Sequence, residues 1–152
     1  MSTLLKNRCG FTLAEMLVVI VIISLLVALV GPKIFQRVEQ ARRVATEAQI
    51  SNFENALRMF KLDSGFYPTT DQGLEALVVI PTTSPIPKKW REEGYLEKGQ
   101  VPLDPWSNHY IYVSPGIHNK DFVDIESYAS DGEDGGEGDA EDVENWAKEN
   151  QK

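Results

Sequence analysis

Cysteine is almost absent from this chain of 152 residues, in which Cys9 is the single example. One cysteine cannot form an internal disulfide, and it lacks the spacing of a zinc or redox motif. The two histidines, His109 and His118, lie in a turn-rich region without matched ligand spacing. The sequence also contains no nucleophile constellation, phosphate-binding loop or glycine-rich dinucleotide motif. These absences argue against an enzyme and against a fold held by disulfides or zinc.

Positive charge is scarce at the C-terminal end. The whole chain carries a net charge of −8, but its acids are unevenly distributed. From Asp121 onward, twelve acids are accompanied only by Lys148 and Lys152, whereas the first 120 residues have a small positive balance. An acidic tail repels polyanions, which argues against nucleic acid as a partner.

One long apolar run, residues 11–31, is present near the start of the chain. At about 1.5 Å per helical residue it is long enough to cross the apolar core of a bilayer. A secretory signal peptide would need small residues in an A-x-A pattern after the run, and the sequence there is a poor match. A plain membrane anchor leaves an acid inside the run, Glu15, without an explanation. Cleavage before the run, between Gly10 and Phe11, would keep the apolar helix on the mature protein.

Cleavage at that bond also offers a role for Glu15. It would create an α-amino group on Phe11, and residues i and i+4 share a helix face. Glu15 could then pair with an amine on its own chain or on a neighbouring copy, which would reduce the cost of burying a carboxylate. The alternative is that Glu15 reaches the lipid headgroups from near the helix end.

The segment GFTLAEM, residues 10–16, followed by the apolar run, resembles the class III leader of type IV pilins and type II secretion pseudopilins. The resemblance implies cleavage after Gly10 by a prepilin peptidase of the inner membrane and N-methylation of Phe11. It also implies that the N-terminus faces the cytoplasm. The positive-inside rule does not decide this orientation, because basic residues lie on both sides of the run.

Hydrophobic periodicity predicts one long helix over residues 12–61, kinked near Pro32, with an amphipathic second half. A short helix over 72–77 follows the breakers Gly65 and Pro68. Strands are predicted at 110–113 and 122–128, and a third short strand near the C-terminus or before Pro102. The predicted architecture is therefore α+β.

Three further segments of the chain resemble, in order, the major pseudopilin family of the type II secretion system. They are YPTTDQGLEAL, PLDPWSNHY and DGEDGGEGDAEDVENW. The resemblance implies a pilin-like fold, in which a long N-terminal helix packs on a small antiparallel sheet. It divides the chain into a cleaved leader at 1–10, a transmembrane and filament-core helix at 11–31, and a periplasmic domain at 32–152. Two positions depart from the family pattern: Ser107 replaces a glycine, and Tyr128-Ala129 replaces Leu-Gly.

The segment from Asp131 to Asp142 holds seven acids, four glycines and no basic residue. One interpretation is a disordered acidic loop; the other is a calcium site, since calcium takes oxygen ligands from flexible loops. The spacing does not match an EF-hand, because position 5 is glycine and the segment before it predicts a strand. The family resemblance implies calcium, with Asp131 as a ligand, a carbonyl from Tyr128, and either Glu141 or Asp142 closing the site.

The function implied by the resemblance is that of a structural subunit of the periplasmic pseudopilus, which polymerises to export folded proteins across the outer membrane. Its implied partners are copies of itself, minor pseudopilins, an inner-membrane assembly platform and the prepilin peptidase. The first alternative is the major pilin of a type IV pilus, although such pilins commonly close their C-terminal loop with a disulfide. A calcium-dependent enzyme or lectin is a more distant alternative, and the sequence supplies no cleft of convergent polar groups for it.

Overall fold

The computed structural model describes residues 11–146, apart from the side chains of residues 29–33. The predicted leader, residues 1–10, lies outside the described residues, as does the end of the predicted periplasmic domain, 147–152. The chain divides into two compact units, Met1–Val38 and Glu39–Lys152, which are described separately.

Helix α1 runs from Leu13 to Ser64, and its backbone continues through Pro32 without interruption. It therefore ends three residues later than the periodicity predicts. Its end is set by Gly65, which has a φ of 89° and donates its amide to the carbonyl of Lys61 at 2.7 Å. A glycine in the left-handed conformation just after the last helical residue is a common helix stop. The predicted long helix is confirmed.

In the first unit, the apolar side chains of α1 are exposed from Leu13 to Val27. Within the described residues, no helical stretch has both the length and the apolarity needed to cross a membrane. The predicted membrane helix, residues 11–31, ends in residues whose side chains lie outside the described part of the chain. The membrane helix therefore stays a prediction.

In the second unit, the core forms along one face of α1, where Phe53, Leu57 and Phe60 are fully buried. A short 3₁₀ helix, Leu74–Leu77, packs into the same core through its two leucines. The sheet contributes the buried side chains of Tyr110, Tyr112, Val123, Ile125 and Val143. The amphipathic half of α1 thus covers a small sheet, as the sequence predicts.

The sheet has three antiparallel strands in the order β1, β2, β3. Strand β1 is Ile111–Val113, β2 is Asp124–Ser127 and β3 is Val143–Glu144. All three predicted strands are confirmed, the first two being shorter than predicted. In the ladder, Tyr112 lies opposite Ile125 and Ser127 opposite Val143, so β3 completes the sheet beside the acidic loop.

Each of the three tryptophans contacts another segment of this unit. The Trp90 indole donates to the carbonyl of Ala76 at 3.0 Å, and the Trp106 indole donates to the carboxylate of Glu39. Trp146 stacks on the His118 ring with centroids 4.2 Å apart. These contacts give the tryptophans a structural role in this unit.

Candidate functional site

Three carboxylates converge beside the last strand. They belong to Glu126 of β2, Asp134 of the acidic loop and Asp142, which immediately precedes β3. One oxygen from each lies within 4.8 Å of the others. We call these three residues the carboxylate cluster. A set of ligands made only of oxygen suits a hard divalent cation such as calcium.

The register of the sheet creates this cluster. Glu126 lies directly opposite Glu144 across β2 and β3. Side chains two positions apart on a strand share a face, so Asp142 projects to the same side as Glu144. Like charges directly opposite each other in an antiparallel pair are destabilising, and this arrangement adds a third acid to such a pair. A cation would remove that repulsion.

The acidic loop turns back through glycines to bring Asp134 to the sheet. Gly135 and Gly136 have φ values of 101° and 93°, which side-chain-bearing residues rarely adopt. Gly136 also has no room for a side chain, because a Cβ there would lie 2.3 Å from the carbonyl oxygen of Ala140. Gly135 donates its amide to Oδ2 of Asp142 at 2.7 Å, which fixes that carboxylate in the turn.

Burial and like charge act together on the acids of the cluster. Burial, and then the negative charges of Asp142 and Asp134, raise the pKa of Glu126 to about 7. The pKa of Asp142 is raised as well, mainly by burial and against the lowering effect of the Gly135 amide. Oδ1 of Asp142 is buried without a hydrogen-bond partner in the described structure. Such an acceptor costs free energy unless a proton, a water or an ion satisfies it.

The structure brings only Asp142 of the four predicted ligand residues into the cluster. The carbonyl of Tyr128 accepts the amide of Gly132 at 3.0 Å, and Asp131 Oδ1 accepts the amide of Glu133 at 3.2 Å. The Glu141 carboxylate lies 3.5 Å from the Arg43 guanidinium instead. The roles of Tyr128, Asp131 and Glu141 as ligands stay predictions.

Glu126 and Asp134 are cluster members that the sequence reading missed. The sequence places Glu126 only within the predicted strand 122–128. The signal that identifies it is the acid opposite it on β3, and that signal is visible only once the register is known.

The side-chain amide of Asn145 helps to hold the C-terminal segment against the rest of this unit. The Asn145 side chain donates to Glu54 of α1 at 3.1 Å and to the carbonyl of Val123 at 3.0 Å. Its oxygen accepts from the amide of Ile125 at 3.0 Å and from the Asn119 side chain at 3.2 Å. Asn145 therefore ties together the helix, the β1–β2 loop and β3, three residues after Asp142.

Asp104, which precedes Pro105, forms an Asx turn. Asp104 Oδ1 accepts the amides of Trp106 at 3.0 Å and Asn108 at 2.8 Å, and Oδ2 accepts the Ser127 hydroxyl at 2.6 Å. Within this turn Ser107 has a φ of 75°, and Ala129 in the adjoining turn has a φ of 44°. These are the two departures from the family pattern, and left-handed backbone is where glycine carries no steric penalty.

His118 has structural partners in this unit. Its backbone amide and ring Nδ1 contact Asp124 Oδ2 at 2.8 Å and 3.2 Å, and its ring stacks on Trp146. Asp124 also accepts the amides of Ile117 and Asn119, so the whole β1–β2 loop folds around this buried carboxylate. Among the described residues, neither histidine belongs to a group that could hold a metal.

At the start of α1, the Glu15 carboxylate accepts the backbone amide of Thr12 at 2.8 Å and its hydroxyl at 2.9 Å. Thr12 Oγ1 in turn accepts the amide of Glu15 at 3.3 Å. This reciprocal pair is a capping box, which the T-x-x-E pattern signals and the sequence analysis did not use. Gly10 lies outside the described residues, so the cleavage site and the proposed pairing of Glu15 with the Phe11 amine stay predictions.

Two protein-family models match this chain. The model described as "Type II secretion system (T2SS), protein G" matches residues 33–146. The model described as "Prokaryotic N-terminal methylation motif" matches residues 5–31. The two matches are adjacent, and together they cover most of the chain.

Curated relatives named "Type II secretion system core protein G" match nearly the full length. The protein from Vibrio cholerae serotype O1 is 45% identical over 142 residues, covering 93% of this chain and 94% of its own. The protein from Pseudomonas aeruginosa is 45% identical over 141 residues, covering 93% and 96%.

A solved structure, the major pseudopilin from the type 2 secretion system of enterohaemorrhagic Escherichia coli, is similar with a TM-score of 0.63. It is 36% identical in sequence, and the match covers 72% of this chain and 90% of that one.

Proposed function

Since the chain belongs to the type II secretion system protein G family, the pilin-like major pseudopilins, we propose that it polymerises into a periplasmic filament whose extension exports folded proteins across the outer membrane. The family match over residues 33–146 carries this proposal. A folded unit with a small core, attached to a helix with exposed apolar side chains, suits a subunit that buries those side chains against its neighbours.

The N-terminal part supports storage in the inner membrane before assembly. The methylation-motif match over residues 5–31 includes the Gly10–Phe11 bond and the apolar run. We propose that prepilin peptidase removes residues 1–10 and that the amine of Phe11 is methylated. The apolar helix then anchors the subunit, with the unit from Glu39 onward in the periplasm.

The proposed partners follow from this arrangement. Copies of the chain form the filament, and minor pseudopilins and an inner-membrane assembly platform initiate and drive its growth. The role is structural, in agreement with the family, and no step of it requires catalysis by this chain.

Calcium is the proposed ligand of the carboxylate cluster. Glu126, Asp134 and Asp142 would hold it, and their chemistry fits because all three offer carboxylate oxygens. The buried and unpartnered Oδ1 of Asp142 supports the same proposal. The ion would supply charge neutralisation and a shared anchor for β2, the acidic loop and β3.

Deletion of the gene followed by complementation tests the filament role. We expect the deletion strain to retain exported proteins in the periplasm while its surface pili, if it makes any, persist. Restoration of secretion by the wild-type chain completes the test. Loss of a surface pilus with normal secretion would instead support the alternative of a type IV pilus pilin.

The proposed processing is tested by the intact mass of the protein purified from membranes. A chain that starts at Phe11 and carries one additional methyl group is expected. Replacement of Gly10 by a bulky residue should leave the leader attached. A mature N-terminus at Gly31 or beyond would indicate an ordinary signal peptidase and contradict the membrane-filament proposal.

A further inference from the structure

A cation from helix α1 reaches the acidic loop at the residue next to the carboxylate cluster. The Arg43 guanidinium donates to the backbone carbonyl of Glu141 and lies 3.5 Å from the Glu141 carboxylate. The Arg43 side chain is 26% exposed, whereas the Glu141 side chain is 66% exposed, so water reaches the contact from the Glu141 side. It links residues 98 positions apart in the sequence.

This contact holds the peptide that leads into Asp142. On its other side, Val143 is buried and is paired with Ser127 in the sheet. Asp142 is therefore fixed from both directions, by Arg43 before it and by β3 after it. Glu141 itself follows the short 3₁₀ helix Gly138–Ala140, donates its amide to the carbonyl of Gly138 at 3.4 Å, and has an exposed carboxylate.

We propose that Arg43 is a positioning residue of the metal site, acting through the Glu141 carbonyl to hold Asp142 in a geometry that can bind the cation. The inference rests on the proposed calcium function of the cluster. It assigns a role to a residue of α1 that contributes no ligand atom.

Because Arg43 is positively charged, a purely electrostatic role and a positioning role predict opposite changes in calcium affinity when it is replaced. A nearby positive charge repels a divalent cation, so electrostatics alone predict that removing it tightens calcium binding. Positioning predicts the opposite, because a loosened carbonyl allows Asp142 to leave the cluster. Loss of a residue that orients a metal ligand typically weakens metal affinity by about tenfold to a hundredfold.

The experiment compares Arg43→Gln with Arg42→Gln in the full chain, purified in detergent and stripped of metal. Arg42 is the matched control: it is the next residue of the helix, loses the same charge, and pairs with Glu39 instead of the acidic loop. Calcium is titrated calorimetrically into each protein. We expect affinity at least tenfold weaker in Arg43→Gln and within about threefold of wild type in Arg42→Gln.

Two further variants separate positioning from a loss of fold or of charge. Arg43→Lys keeps the charge with a single amine and should bind calcium with intermediate affinity. Asp139→Asn removes a charge of the same loop from a side chain outside the carboxylate cluster and should bind calcium as the wild type does. The melting temperature of each variant in chelator reports on the fold itself, and a purely structural role would lower it without changing calcium affinity.

The outcomes distinguish this inference from the calcium proposal. If the wild-type protein takes up no calcium, the calcium proposal fails and this inference fails with it. If the wild type binds calcium and Arg43→Gln binds it equally well or more tightly, the positioning role alone is overturned.

Discussion

Asn108 donates its side-chain amide to the carbonyl oxygen of Ala129 at 2.9 Å, and this bond joins two turns that each contain a side-chain-bearing residue in left-handed backbone. Ser107 is next to the donor and Ala129 is the acceptor. Glycine at both positions is what the family resemblance implies, and left-handed backbone carries a steric penalty for a residue with a side chain.

Replacement of Ser107 by glycine is predicted to stabilise the protein. The residue is exposed and has a φ of 75°, so glycine relieves strain at the cost of little packing. We expect the free energy of unfolding to rise by about 0.5–1 kcal/mol, partly offset by the greater freedom of glycine in the unfolded chain. Chemical denaturation measures it. The control, Ser51→Gly in the exposed face of α1, should lower stability by about 0.5 kcal/mol.

Calcium is predicted to raise the melting temperature of the full chain, and Asp142→Asn should remove most of the increase. A ligand that binds only the folded state contributes about 2.7 kcal/mol at a hundredfold excess over Kd. Magnesium should substitute poorly because it requires strict octahedral geometry. Thermal unfolding in calcium, magnesium and chelator gives the comparison.

Two other acids of the same loop provide the controls for that measurement. Asp139→Asn removes the same charge from a side chain outside the cluster and should keep the calcium increment. Asp131→Asn tests the ligand that the family resemblance implies: loss of the increment would support it, and retention would favour the cluster described above. Equal melting temperatures in calcium and chelator for the wild type would leave the loop without a metal function.

Asn145→Ala is predicted to lower the free energy of unfolding by about 2–3 kcal/mol. The substitution removes four hydrogen bonds that connect α1, the β1–β2 loop and β3, and each such bond contributes about 1 kcal/mol. Urea denaturation reports the change. Asn52→Ala on the exposed side of α1 serves as the control and should be neutral or slightly stabilising. A loss below about 0.5 kcal/mol in Asn145→Ala would contradict the structural role.

The carboxyl group of Asp63 is predicted to titrate below its ordinary range. The Arg91 guanidinium, 2.7 Å away, lowers the pKa of Asp63, and the Tyr95 hydroxyl assists at 3.2 Å. A lowered pKa in the folded state means that the stabilisation is complete above the unfolded pKa and is lost as pH falls through the folded one.

Nuclear magnetic resonance titration of the side-chain carboxyl measures this pKa directly. Arg91→Gln should move the pKa of Asp63 upward, toward that of a free aspartate. Tyr95→Phe should move it less, because the guanidinium has the larger effect. An unchanged pKa in Arg91→Gln would show that the pair is not populated in solution.

Glu15→Ala is predicted to leave membrane insertion intact and to impair filament assembly. Glu15→Gln sharpens the test, because its amide oxygen can still accept the two Thr12 hydrogen bonds while the charge is lost. If pairing with the Phe11 amine matters, both variants should fail in filament shearing and secretion assays. Normal assembly of Glu15→Gln would reduce Glu15 to a helix cap.

Much of the fold follows from the sequence because its signals are local. The 3.6-residue periodicity of α1 and the turn residues around β1 and β2 predict these elements directly. The end of α1 was missed by three residues, since side-chain periodicity fades before the glycine that stops the helix.

The composition of the carboxylate cluster depends on long-range register and could not be read in the same way. Asp142 is close to the sheet in any arrangement, whereas Glu126 joins it only when β3 pairs at one particular offset. A strand of two residues has too few alternating side chains to specify that offset. The contact of Arg43 with Glu141 is likewise invisible before the helix and loop are placed together.

The hydrogen bonds of the Asn145 side chain affect the order in which this unit folds. Its bond to Glu54 spans 91 residues, and it closes a core whose other walls have already been synthesised. Contacts between residues so far apart in the sequence form late in folding. Closing the long loop between them costs entropy before the contact contributes any favourable free energy. While the chain is still being synthesised, α1 and the first two strands keep part of their apolar surface exposed to solvent. Formation of the contacts of Asn145 therefore determines when the unit from Glu39 onward becomes resistant to proteases and to aggregation.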